Sequence, residues 1–364
     1  MSFPAKLLKL IFAVAFALVA YALSRPAHAA GGPVPVLVIY AYDSLAGKGA
    51  LGPDVVARFT KKRAAEKKPV KVELVSVGDG AQILSRLKLD RERGKPRAHL
   101  VWGIDENVFT RMKADVLPLD PASFIRPAKF APAIGRPATG FVPFDYGVFA
   151  FMQDTKKLAF EKRPLDWDDL LDARFKKSLI LEDPRTSTPG LAFVGGTLAR
   201  IAEKEPAKRS AAFRSYWKRL KPQWLTLSPG WSQAYGMFLK AEAPLVWSYV
   251  TSEAYHRENG DATSRYRAIV FESGNPLQIE GLAIPKDAPG GEAMAALARE
   301  FVGEVLSVET QTALPKLQWM MPAREGVKLP PSFEALPRPR NLFPALPSSG
   351  ILEQTLKDWN AAIR

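Results

Sequence analysis

Cysteine is missing from all 364 residues. Its absence excludes disulfides, a lipid-modified cysteine anchor and a cysteine nucleophile. Histidine is nearly as scarce. Of the three, His28 lies near the N-terminus, and His99 and His256 are too far apart in sequence to suggest a metal cluster. Neither a Gly-x-Ser-x-Gly elbow nor a Gly-rich phosphate loop ending in Lys-Ser/Thr occurs. The paired carboxylates Asp168-Asp169 sit at a helix start, where the helix dipole accounts for them. Beyond residue 30 no apolar run is long enough to span a bilayer. An enzyme is therefore a poor reading, with no catalytic residues and no metal or cofactor expected, and a soluble binding protein is the better one.

The N-terminus carries an address. Lys6 and Lys9 precede an uncharged run over 10–23, followed by Ser24-Arg25-Pro26-Ala27-His28-Ala29, the pattern of a secretory signal with an Ala-x-Ala cleavage site. Residues 1–29 are read as a cleaved signal peptide that sends the protein to the periplasm. Cleavage after Ala29 removes Lys6, Lys9 and Arg25 and lowers the formal net charge from +14 to +11. Such a balance usually points to nucleic acid or an anionic surface. Export makes nucleic acid improbable, so the charge is read as solvated helix faces with some bias toward an anionic ligand or membrane.

With hydrophobic residues at 47%, the mature chain has ample material for a core. Strand-like runs over 34–40, 70–77 and 99–104 alternate with helical patterns around Val55, Val56 and Phe59 and around Ile83, Leu84 and Leu87. This alternation predicts an α/β fold with a largely parallel sheet and crossover helices. Ligands of such sheets bind at the carboxyl ends of strands, where Tyr42-Asp43-Ser44 and Gly78-Asp79-Gly80 emerge. The Pro-rich stretch 117–144 reads as a crossover, with a strand from Tyr146 to Met152 beyond it. The expected division is a first lobe over 30–144, a second over 145–266, a return segment over 267–335, and a tail with a helix over 336–364.

Three segments concentrate chemistry. Asp183-Pro-Arg-Thr-Ser-Thr-Pro-Gly190 lies between a strand and a helix, so Thr186, Ser187 and Thr188 either cap the helix or, with its free N–H groups, form an anion site. Ser228 to Tyr235 and Trp247 to Tyr255 set aromatic residues beside hydroxyls. Trp247 and Tyr235 fit a core role, whereas Trp231 after Pro-Gly and Tyr249-Val-Thr-Ser252 at a strand end are placed to face a cleft. An aromatic face there stacks on a flat ring or attracts a cation, worth about 0.5 to 2 kcal/mol per contact.

The stretches Tyr40-Ala-Tyr-Asp-Ser44, Gly78-Asp-Gly80, Phe141-Val-Pro-Phe-Asp-Tyr-Gly147, Asp183 to Gly190, Gly230 to Lys240, Ser248 to His256 and Trp319-Met-Met-Pro322 resemble the periplasmic thiamine-binding proteins of ABC transporters. The resemblance runs across nearly the whole mature chain. It implies a two-lobed type II periplasmic-binding fold, with thiamine or its phosphates held between the lobes as transported ligand and passed to a membrane ABC permease by a monomeric carrier. Carried over position by position, it places Asp79, Gly80, Ser187, Thr188, Trp231, Tyr249, Val250, Thr251 and Ser252 against the ligand, with Tyr42, Tyr255 and Trp319 as further walls. The ligand's phosphate is expected at Ser187 and its neighbours. In two places the chain departs from the pattern: the loop Leu45-Ala-Gly-Lys-Gly-Ala50 lacks an aromatic, and Met321 stands where a tyrosine is expected. The rival reading is a carrier for a polyamine, ferric iron or an oxyanion.

Overall fold

Val36–Ala41 (β1) is apolar at nearly every position because it runs through the middle of a sheet covered on both faces. The computed structural model describes residues 33–204, 209–261, 263–344 and 349–364, so the segment 1–29, read from the sequence as a signal peptide, lies outside the described residues. β1 pairs in parallel with Lys71–Ser76 (β2) on one side and Leu100–Asp105 (β3) on the other. The crossovers are the helices Leu51–Ala65 (α1) and Gly80–Glu92 (α2). β2 forms the sheet edge and has half-exposed residues, whereas β3 is buried throughout.

After Glu106–Met112 (α3) the chain enters Val142–Asp154 (β4), a strand of 13 residues. The sequence reads a crossover over 117–144 and a strand only from Tyr146. In the structure the strand begins at Val142, and Pro143 is accommodated because a register shift between Pro143 and Asp145 releases the ladder there. The near half of β4, Val142 to Val148, pairs with Asn275–Ala283 (β9), which in turn pairs with β3. Its far half pairs with Leu245–Tyr249 (β7) and Tyr266–Ile269 (β8). One strand thus serves two lobes.

The second lobe continues through β7 to Leu179–Glu182 (β5) and Trp224–Ser228 (β6), both parallel pairings. Around this sheet lie the helices Thr188–Lys204 (α4), Arg209–Leu220 (α5), Trp231–Leu239 (α6) and Ser252–Glu258 (α7). Side chains alternate along its strands. Phe149, Phe151, Leu179, Leu181, Leu245 and Trp247 fill one core, while Ala150, Met152, Ile180 and Val246 fill the other. The first lobe has its own core, which includes Phe301 and Val305 of Gly291–Val305 (α8) and Leu314 of Val308–Leu317 (α9).

The chain leaves the second lobe later than its sequence indicates. Residues 267–271 were expected in the return segment, but β8 extends the sheet at the far half of β4, and Ile269 and Phe271 are buried in the second core. The return is made by β9. Farther on, Met321–Pro322 (β10) pairs with Tyr146 and Asp145, and Leu342–Phe343 (β11) pairs with the start of β9. Phe333 and Leu336 then pack in one second-lobe core, and Trp359 of Ser349–Ile363 (α10) in the other. Among the described residues no helix is long and apolar enough to cross a membrane.

Candidate functional site

Between the two halves of the sheet lies a cleft of about 350 Å³, within the usual range for small-molecule sites. From the first lobe come Tyr42, Ser44, Lys48 and Asp79, on the connections that leave the carboxyl ends of β1 and β2. Tyr42 can reach the floor because Gly103 has no side chain: a Cβ there would stand 1.9 Å from the tyrosine ring. Its hydroxyl donates to Glu280 Oε2 at 2.7 Å and accepts from Gln318 Nε2 at 2.5 Å. The floor is therefore acidic, and the ring is fixed.

The second lobe contributes aromatic faces on regular elements. Trp231 opens α6, stacks on Tyr235 at 4.9 Å between ring centroids, and donates from Nε1 to Ser248 Oγ at 2.8 Å. Tyr249, at the end of β7, stacks on Phe149 at 4.6 Å and donates to Gln278 Oε1 at 2.9 Å. Tyr255 and Trp319 meet edge to face at 5.1 Å. Trp319 takes a left-handed backbone, φ 59°, a strained conformation for a bulky side chain that here turns the indole toward the cleft.

Of the twelve residues expected against the ligand, nine line the cleft: Tyr42, Asp79, Gly80, Thr188, Trp231, Tyr249, Ser252, Tyr255 and Trp319. Val250 and Thr251 do not; they lie in the turn that follows β7 and both are buried, Val250 in the apolar core. Ser187 does not line it either. It is buried beside a small secondary void that Leu352 and Leu356 of α10 help to close. Lys48, Gln278, Glu280 and Gln318 line the cleft without having been singled out from the sequence, and Ser44 lines it from the loop placed at the strand end. Gln278 and Glu280 alternate on one face of β9, a pattern visible beforehand only as two polar residues in an apolar strand. The loop that lacks an aromatic presents Gly49 to open space at the cleft, whereas Met321 is outside the lining.

The start of α4 is not an open anion site. Thr186 Oγ1 donates to the Pro229 carbonyl at 2.7 Å. The hydroxyls of Ser187 and Thr188 point across to Asp79 and Asp105 of the first lobe. Asp105 is itself the N-cap of α3, accepting from Val108 N at 2.7 Å. Burial pushes the Asp79 carboxyl up to about 6, offset in part by the Ser187 hydroxyl and the Trp231 backbone N–H, and it leaves Oδ2 without a full hydrogen bond. Burial likewise raises Asp105 and, with the charge of Asp79 beside it, lifts Glu182 well above the usual carboxylate range. An added anion would meet three carboxyl groups here. The site instead favours a ligand that is flat, cationic or rich in donors.

Two α/β lobes that share crossing strands and enclose a cleft of aromatic and acidic side chains define a solute-binding protein, here of the two-lobed type II form. A model of bacterial extracellular solute-binding proteins matches residues 54–340, and the chain belongs to that family. It is 36% identical over 333 residues to the thiamine-binding periplasmic protein of Brucella melitensis biotype 1, covering 90% of this chain and 91% of that one. To the protein of the same name in Escherichia coli strain K12 it is 33% identical, covering 90% and 94%. A solved periplasmic thiamin binding protein superposes with a TM-score of 0.75 at 31% identity, over 92% of this chain and 98% of the other. A ferric binding protein from Campylobacter jejuni shares the fold, with a TM-score of 0.68 at 15% identity.

Proposed function

We propose that this protein binds thiamine in the periplasm and delivers it to a membrane ABC permease. The observation that carries the reading is the pairing, in one cleft, of the Trp231 and Tyr249 rings with the Asp79 and Glu280 carboxyls. Thiamine is a flat aminopyrimidine joined to a permanently cationic thiazolium. Aromatic faces suit both rings, and a carboxyl such as Asp79 suits the amino group. The names of relatives matched over 90% of the chain point the same way.

Thiamine phosphates are carried by the same reading, with their phosphate placed differently from the sequence expectation. Lys48 is the only basic side chain among the described residues of the cleft lining, and Ser44 stands near it in sequence. The phosphate arm therefore points to the mouth, away from Ser187. Export with removal of residues 1–29 and action as a monomer belong to the proposal as well. Calorimetry of the mature protein with thiamine should give micromolar or tighter binding, about 8 kcal/mol or more. Heat with spermidine or ferric iron, and none with thiamine or its phosphates, would overturn it.

A further inference from the structure

At the floor of the cleft two carboxyl groups face each other, Glu280 lining the cleft and Asp145 behind it. Asp145 on β4 and Glu280 on β9 are directly opposite in the antiparallel register, at the crossing strands that join the lobes. Like charges in that position repel. Asp145 is fully buried and Glu280 is 6% exposed, so water screens neither. Both oxygens of Glu280 accept from neutral donors, Oε2 from the Tyr42 hydroxyl at 2.7 Å and Oε1 from Gln278 Nε2 at 2.5 Å. Neither oxygen of Asp145 meets a donor, and the charged group it faces is Glu280.

We infer that Asp145 and Glu280 hold one proton between them and release it when the cationic part of the ligand seats against Glu280, so that this pair reads the ligand's positive charge. The inference rests on the thiamine reading above. Only Glu280 of the two lines the cleft, so a ligand acts on the pair through it while Asp145 stays behind as proton partner. Two carboxylates in contact cannot both ionise without a counter-charge, and the shared proton supplies the donor that Asp145 lacks. A cation over Glu280 provides the counter-charge, the O–H bond breaks and the proton passes to solvent. The other groups facing the pair reinforce this. Tyr42 from the end of β1, Tyr249 from β7 and Gln278 from β9 are neutral, while Asp105 at the end of β3 and Asp79 at the start of α2 add negative charge. Burial, with smaller contributions from those two carboxyls, pushes Glu280 up to about 7, and burial together with Glu280 lifts Asp145 well above its usual range. Among the described residues no group of three or more acids and histidines comes together as metal ligands do.

The test is titration calorimetry of thiamine into the mature protein near neutral pH, in buffers of different ionisation heat. Thiamine's own aminopyrimidine titrates below that range and would take up a proton on meeting a carboxylate, the opposite sign. The expected result is release of roughly half a proton or more per ligand, with affinity rising as pH rises. Heat that does not depend on buffer overturns the proton exchange alone. No heat with thiamine overturns the thiamine reading and this inference with it. Glu280→Gln should abolish the release and weaken thiamine roughly tenfold or more. Asp145→Asn should also abolish release but leave the affinity within about threefold, because Glu280 then ionises without competition. A neutral isostere of the thiazolium should bind wild type without releasing a proton. Undiminished release from Glu280→Gln would overturn the assignment.

Discussion

The first lobe gives the cleft a polar wall carried on loops, with Tyr42, Ser44, Lys48 and Asp79 on the connections after β1 and β2, whereas the second lobe gives aromatic faces on regular elements, Trp231 and Tyr235 on α6 and Tyr249 at the end of β7. Stacking needs a surface that does not yield, and the second lobe supplies one. Behind its face lies a core in which Trp167, Trp217, Trp247 and Trp359 are fully buried; the first three meet the Phe193 ring, and Trp359 packs edge to face on Trp217. Polar recognition needs position more than area. Loops at strand ends provide it, tied down at single points such as the bond from Gly78 N to Asp43 Oδ1 at 2.9 Å.

The comparison is most exposed at Asp79, where the two walls touch. Asp79→Asn keeps the shape but removes the acceptor that faces Ser187 and the Trp231 N–H, and it should weaken thiamine by about 2 to 3 kcal/mol. Binding that survives intact in calorimetry would mean that the polar wall is scaffolding. On the opposite wall, Trp231→Ala should cost about 2 kcal/mol through lost stacking and cation–π attraction. The same contact predicts a fluorescence signal. Only Trp231 and Trp319 of the eight tryptophans line the cleft, so thiamine should quench part of the emission, and the Trp231 variant should lose most of that quenching.

Ser187→Ala sharpens the comparison at the seam. Its hydroxyl faces a carboxylate of the other lobe, so the loss of about 1 kcal/mol should be alike for thiamine and both phosphates. A loss confined to the phosphates, measured with the three ligands in parallel, would restore the anion site at α4. The smallest effect is expected at the mouth. Lys48→Ala should weaken the phosphates by about 0.5 to 1 kcal/mol, as befits an exposed charge, and leave thiamine unchanged. Equal affinities of wild type and variant for thiamine diphosphate would remove Lys48 from the site.

Much of this was legible in local pattern. Runs of apolar residues gave β1 and β3 to within about two residues at each end, and Gly-Asp-Gly and Pro-Gly-Trp marked strand-to-helix turns that do line the cleft. What misled was context. Pro143 reads as a loop and sits in a strand because a bulge excuses its missing N–H. Thr186-Ser187-Thr188 before a helix reads as an anion cradle; instead Thr186 bonds to the Pro229 carbonyl, and Ser187 and Thr188 face the Asp79 and Asp105 carboxyls of the other lobe.

Composition and periodicity by themselves determined the α/β class, the absence of thiol chemistry and the aromatic, hydroxyl-rich character of the binding segments, because these depend on neighbours along the chain. The tertiary structure alone decided which residues share the cleft. Glu280 lies 135 positions from Asp145 and 238 from Tyr42 in the sequence; it joins them only because antiparallel pairing of β9 with β4 sets two carboxyl groups side by side in a largely buried place. Burial and long-range register are properties of the assembled sheet, and the charge of the site follows from them.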